Sequence, residues 1–215
     1  SERWYVFPFP IFGIKDRDWA KAYYGVGIVH TNFRGRNEKM FTTAVFGYDP
    51  SFGISYKNPF ISEEGTFILE ARVAYSRLRN KSLLAQTGTV NFDERHYSTS
   101  LSVGRRFGLH HTAWFSAGYE VVDIPDLLPG RTISPGGKDA YPMFGAGYLY
   151  DTRDLGEYPS RGSLARFSVT KSGFPGGELD LVRYAVDLRH YTPITSGLTW
   201  TFRTFTDIVA AGPAP

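Results

Sequence analysis

The chain has 215 residues, a formal net charge of +3 and no cysteine. That charge is too small to argue for nucleic acid as a partner, and without cysteine no disulfide or thiolate-metal framework can form. No apolar run reaches the roughly 18 residues that a transmembrane helix requires; the opening SERWYVFPFP lacks the basic start, apolar core and cleavage site of a signal peptide, so any export signal is expected outside this stretch.

The aromatic fraction is high, at 16%, and it recurs with period two. Strands are predicted over 4–14, 18–32, 39–48, 51–59, 66–78, 93–107, 111–123, 140–151, 161–172, 179–192 and 198–210. The first contains Pro8 and Pro10, and proline is confined to sheet edges, strand starts and bulges. It reads either as an edge strand or as a linker ahead of the first strand. In the fifth, Phe67, Leu69, Ala71, Val73 and Tyr75 share one face and oppose Glu70 and Arg72. The sixth sets Tyr97, Thr99, Leu101, Val103 and Phe107 against Ser98, Ser100, Ser102, Gly104 and Arg106, and the seventh sets Phe115, Tyr119 and Val121 against Trp114, Ser116, Gly118 and Glu120. The ninth carries Arg166. The tenth opposes Tyr184, Val186 and Leu188 to Arg183, Asp187 and Arg189, and the last opposes Trp200, Phe202 and Ile208 to Arg203 and Asp207.

Alternation of this kind fits a soluble sandwich or lipocalin-like barrel, or an outer-membrane barrel. Strand length favours the membrane. Soluble strands usually run about five or six residues, whereas a tilted strand crossing a bilayer needs about 9–11. Tyr5, Phe7, Tyr23, Tyr24, Phe41, Tyr97, Phe107, Tyr150 and Tyr191 lie near strand ends, where aromatic girdles sit. The second, sixth and tenth connections are short (RGRNEK, FGLHH, PITSG), the fifth and seventh are long, and the fourth and eighth are intermediate. Barrels put short turns in the periplasm and long loops outside.

The chemistry-bearing residues suit such a barrel better than a catalyst. Asp151, Thr152, Arg153 and Asp154 end a strand and begin a turn that closes through Pro159 and Gly162. The alternative is an ion-pair site on the rim; no histidine lies near enough in sequence to make a metal site. Glu70, Arg72, Glu120, Arg166, Arg183, Asp187, Arg189, Arg203 and Asp207 form the polar face. They read as a luminal charge network, with channel selectivity and enzyme chemistry as alternatives. His30, His96, His110, His111 and His190 have no metal-ligand spacing, and no nucleophile elbow, P-loop or dinucleotide fingerprint occurs. No residue is identified as catalytic.

Four stretches, GVGIVHTNFRGRNEKM, FGYDPSFGISYKNPFI, GYLYDTRDLGEYPSRGSLARFSV and LVRYAVDLRHYTPI, occur in an order that resembles the BamA/TamA-type outer-membrane barrel-assembly superfamily, also called bacterial surface antigens. Tyr150, Asp151, Arg153, Asp154, Pro159 and Gly162 carry its most recognisable turn. The resemblance implies that 1–215 is the N-terminal part of a transmembrane antiparallel up-and-down β-barrel, about eleven of a probable sixteen strands, with 1–5 the tail of a preceding POTRA domain. The family's Arg-Gly-Phe/Tyr loop signature does not occur, and Arg34-Gly35, in an early turn, is no substitute for it. The chain is therefore expected to be incomplete. An odd strand count does not close a standard bacterial barrel, and an open edge in lipid leaves backbone groups unpaired.

The resemblance also implies the outer membrane of a Gram-negative-type bacterium, or an organelle equivalent, as the location. It implies no cofactor and no enzymatic activity. The implied function is folding and insertion of other outer-membrane proteins, by templating their strands on the first-strand seam through β-augmentation. The seam would be Val6, Phe7, Phe9, Ile11, Phe12, Gly13 and Ile14. Implied partners are the lipid bilayer, unfolded outer-membrane clients, POTRA domains and accessory lipoproteins. A translocation or secretion pore of the same superfamily, and a passive porin or receptor, are the alternatives. An outer-membrane lipase is the weakest, since no Ser/His/Asp set is convincingly placed.

Overall fold

The computed structural model describes residues 5–62, 65–79, 93–125, 132–134, 136–175 and 177–212. Eleven strands form: β1 (Val6–Ile14), β2 (Ala22–Phe33), β3 (Glu38–Gly47), β4 (Ser51–Asn58), β5 (Phe67–Arg79), β6 (Asp93–Phe107), β7 (His111–Asp123), β8 (Lys138–Asp151), β9 (Gly162–Gly173), β10 (Asp180–Thr195) and β11 (Leu198–Ala211). They make one sheet in chain order, each strand antiparallel to the next. Expected and observed boundaries differ most before β2. There Asp18 accepts from the Ala20 N–H at 3.0 Å and caps a short 3₁₀ turn, Trp19–Lys21, where extended chain is expected. Most of the long fifth connection and part of the seventh lie outside the described residues. The third connection, 48–50, is short although it lies at the same end of the sheet as the long loops.

Residues directly opposite each other in an antiparallel pair share a face, so the register sorts side chains into rows. One row reads Ile28, Thr42, Ile54, Val73, Thr99 and Tyr119; the adjacent row, on the other face, reads Gly27, Thr43, Gly53, Ala74, Ser98 and Glu120. Between its charged ends the first face is a mainly apolar band across the sheet and stays exposed: Val73 is 61% accessible, Phe115 56% and Leu101 51%. Among the described residues only Ile124 and Leu164 are buried hydrophobics. A soluble sandwich would bury its apolar faces against each other in a core about 10 Å thick. This sheet has no such core, and a continuous apolar band of this breadth requires a hydrocarbon solvent.

Aromatic rings bracket the band. Towards the loop end Phe46, Phe52, Tyr75 and Tyr97 form a ladder across four strands, with centroid spacings of 5.4, 6.1 and 5.0 Å. Towards the turn end the Arg105 guanidinium lies between the rings of Phe67 and Phe107, at 5.4 and 5.2 Å. On the opposite face rings lie over glycines. A Cβ at Gly147 would come within 2.2 Å of the Trp114 indole, so only glycine admits that ring.

Leu101 lies midway between Tyr97 and Arg105 on the apolar face of β6. Leu101→Arg is expected to cost about 2–4 kcal/mol, the range for a cation at the bilayer midplane, and Ser100→Arg on the polar face much less. Denaturant unfolding in liposomes checks this; equal losses for the two variants would contradict the facial assignment.

Candidate functional site

β1 ends the sheet on one side and β11 on the other, so each has a single neighbour in it. β1 pairs with β2 without a register shift, from Val6–His30 to Ile14–Ala22. Two bonds flanking this ladder fix which way the backbone groups point. Thr31 N–H donates to the Tyr5 carbonyl at 3.1 Å, and Lys15 N–H to the Lys21 carbonyl at 3.2 Å. Hydrogen-bonded pairs alternate along an antiparallel ladder. Phe7, Phe9, Ile11 and Gly13 therefore turn their backbone groups towards β2, and Val6, Pro8, Pro10, Phe12 and Ile14 turn theirs away. Both prolines lack their N–H on the edge that β2 does not use. That edge offers five carbonyls but N–H donors only from Val6, Phe12 and Ile14.

The side chains of this strand depart from the chemistry of the rest of the sheet. Phe7, Phe9, Ile11 and Gly13 lie on the otherwise polar face, in rows with Val29, Gly27, Gly25 and Tyr23. The Phe9 ring covers Gly27 and stacks on Phe41 at 6.0 Å. Val6, Phe12 and Ile14 lie on the lipid-directed face. The first strand is thus apolar on both sides. Of the stretch 1–5, residues 1–4 lie outside the described residues, and Tyr5 already continues the β1–β2 ladder.

The nine polar-face charges fall into separate clusters. Asp187, 8% exposed, is gripped by Arg189 through Nε at 3.0 Å and Nη2 at 2.6 Å, and by Arg203 through Nε at 3.1 Å and Nη2 at 3.0 Å. Arg183 holds Asp207, with Nε 2.8 Å from Oδ1. Glu70 pairs with Lys57. Glu120 lies 3.3 Å from Nδ1 of His96, whose Nε2 is 3.3 Å from Glu94. Arg166 lies 5.8 Å from the Trp114 ring, and Arg72 stands between Ser55 and Ser100 in the register.

The Asp151–Gly162 segment is a closed turn. Asp151 accepts from Arg153 Nε at 2.9 Å and Nη2 at 2.8 Å, and Arg153 Nη1 donates to the Gly156 carbonyl at 3.0 Å. Asp154 accepts from the N–H groups of Leu155 and Ser160, both at 2.9 Å, and from the Ser160 hydroxyl. Pro159 leads directly into Ser160. Gly162 has φ +103°, and a Cβ there would lie 2.3 Å from the Thr152 carbonyl oxygen. Tyr150 packs its ring 5.0 Å from that of His111. Each carboxylate in the cluster is occupied by the turn's own donors.

Residues 32–211 match the Omp85 superfamily domain. The chain belongs to the Omp85 superfamily. Its members are outer-membrane barrel proteins, in general without enzymatic activity. Among solved structures, the crystal structure of BamA from Haemophilus ducreyi lacking POTRA domains 1–3 shares the fold, with a TM-score of 0.68 at 16% identity. The match covers 97% of this chain and 41% of that one, so the present chain spans less than half of its relative. No curated protein matches this chain.

The sequence gives no prominence to one polar group that the Omp85 sheet buries completely. Glu38, at the start of β3, is 0% exposed. It accepts from Arg34 Nε at 2.8 Å and Nη2 at 2.9 Å, with Asn58 Nδ2 at 3.4 Å, and Arg34 also donates to the Tyr56 hydroxyl at 3.1 Å. Asn32 Oδ1 receives the Asn37 N–H at 2.7 Å, and Asn58 Oδ1 receives the Phe60 N–H at 2.9 Å. Glu38 thereby ties the Asn32–Phe33–Arg34–Gly35 turn to the Asn58–Pro59–Phe60 turn. The only signal in the sequence is that both turns carry an asparagine.

Two measurements probe these turns. Glu38→Ala removes the buried acceptor that the half-exposed Arg34 and Asn58 share and is expected to cost roughly 0.5–1.5 kcal/mol in urea unfolding; a loss under a few tenths would contradict the tie. At Asp154, the Ser160 hydroxyl foremost, with the N–H groups of Ser160, Arg161 and Leu155, holds the carboxyl down to about 2. Because the folded value is lowered, its contribution is complete above the ordinary value near 4 and is lost as pH falls towards 2. An NMR titration is expected to give a midpoint of about 2 for Asp154, moving up in Ser160→Ala; a midpoint unchanged by that substitution would contradict the assignment.

Proposed function

We propose that this chain forms the first-strand side of a bacterial outer-membrane barrel that folds and inserts other β-barrel proteins, using the outer edge of β1 as a temporary template. The turn end of the sheet faces the periplasm and the loop end faces outward, by the rule that short connections are periplasmic. The single observation that supports this reading most is the donor-poor edge of β1. A neighbouring strand meets carbonyls at five positions there and finds an N–H at three of them. Each missing ladder bond forgoes about 0.5–1.5 kcal/mol, so closure against any permanent neighbour is weakened while the carbonyl row remains available to an incoming strand. The exchange involves main-chain hydrogen bonds and no covalent step. Clients, the bilayer, POTRA domains and accessory lipoproteins are the partners this reading requires.

Replacing Pro8→Val together with Pro10→Val restores both donors in residues suited to strands. The full-length protein carrying both changes is expected to hold its barrel closed to a higher temperature in heat-modifiability gels and to insert clients several-fold more slowly into proteoliposomes. Unchanged or faster insertion would contradict the template. Export of a soluble passenger without client insertion would instead identify a translocation pore.

A further inference from the structure

We infer that the lipid-directed face of β5–β8 carries a binding site for a phosphate-bearing membrane lipid, with the phosphate between Arg77 and Arg95 and an acyl chain in the groove beneath them. The register places Arg77, Arg95, Asp123 and Lys138 in one row across four strands, with Arg79 and Asp93 opposed in the pair beyond. These residues continue the alternation of Val73 and Tyr75 on β5 and of Tyr97 on β6, so they project from the apolar face just beyond the aromatic ladder. Four cations meet two carboxylates there.

Arg77 and Arg95 stand directly opposite each other, an arrangement that is destabilising in a sheet unless an anion joins the pair. Two other directly opposed cation pairs have one. Arg189 and Arg203 share Asp187 within 3.1 Å, and Lys57, opposite Lys39, holds Glu70. Among the described residues the outward pair is served only from a distance: Arg77 Nε is 3.7 Å from Asp93, and Arg95 Nη1 is 3.8 Å from Asp123. Both guanidinium side chains are more than 40% exposed. A phosphate accepts from two guanidinium groups at once.

The groove below identifies the source of that phosphate as a lipid. It is lined by Phe52, Ile54, Val73, Tyr75, Tyr97 and Tyr119 and is almost wholly apolar. The depth agrees. Arg95 and Arg105 lie on the same face of β6, ten residues apart, which is roughly 33 Å along a strand. At a tilt of about 40° that is roughly 25 Å of height, the thickness of the apolar band of an outer-membrane barrel. Arg105, between Phe67 and Phe107, marks one headgroup plane, and the Arg77–Arg95 row marks the other. The site requires only that this face meet lipid, and it is independent of strand templating.

The test uses the full-length protein in detergent and native mass spectrometry, offering a diphosphorylated glycolipid, its dephosphorylated form, or inorganic phosphate. The phosphorylated lipid is expected to remain bound. Arg77→Gln with Arg95→Gln is expected to lower its retention at least tenfold, and Arg183→Gln, on the other face, to leave it unchanged. Equal retention of the dephosphorylated lipid, unaltered retention in the double variant, or saturation by inorganic phosphate alone would overturn the proposal. A second measurement needs no variant. A photoreactive acyl chain on the phosphorylated lipid is expected to label β5 and β6 peptides of the wild-type protein, and uniform labelling around the barrel would also overturn it.

Discussion

Backbone hydrogen bonding in hydrocarbon is the constraint on which the rest of this structure depends. A strand that crosses lipid must place every N–H and C=O against a neighbour, because no water is present to take them. Within the sheet this is done without exception of topology: each strand pairs with the next in chain order. The constraint leaves freedom only at an edge. There Pro8 and Pro10 remove donors from the side that β2 does not use, so the β1–β2 ladder keeps its bonds while the outer row loses two. The outer edge is thereby made donor-poor without weakening the β1–β2 ladder.

The same alternation lets one sheet face two solvents. Even-numbered positions of β6 put serines and charges on the polar face, while odd-numbered ones put Tyr97, Thr99, Leu101 and Val103 into lipid. With so little buried hydrophobic surface, the sheet owes its rigidity to its ladders, to rings lying over glycines such as Gly27 and Gly147, and to short-range ion pairs. Asp187 shows how tightly these are local: its two arginines saturate it, so it is not available to a wider network. The apolar inner surface of β1, with Phe9 over Gly27 against Phe41, contrasts with the charged inner surface of β9–β11.

Strands were legible because the period-two signal is strong wherever an apolar face is unbroken. β6 and β7 follow it to the residue, over 93–107 and 111–123. It misled at 18–21, where Asp18 caps a turn that alternation alone cannot distinguish from extended chain. The residue types of the Asp151–Gly162 turn were readable because Asp, Pro and Gly each have a turn-specific reason to be there. Glu38 was not readable, since a glutamate beside a turn ordinarily points to water. Its burial follows from Arg34, Tyr56 and Asn58, which only the β2–β3–β4 register brings together. The direction of the prolines was equally hidden: sequence shows that a donor is missing, and only the ladder shows from which edge.

Templating requires β1 to offer its outer edge to an incoming strand. The chain has no native cysteine, so single cysteines placed along β1 and along β7 in the full-length protein can be cross-linked to cysteines in the terminal strand of a client caught during insertion. Templating predicts cross-links along β1 that advance in step with the client residue, as an antiparallel or parallel register demands, and none along β7. Cross-links of equal yield at β7, or none at β1 while the client still inserts, would contradict it.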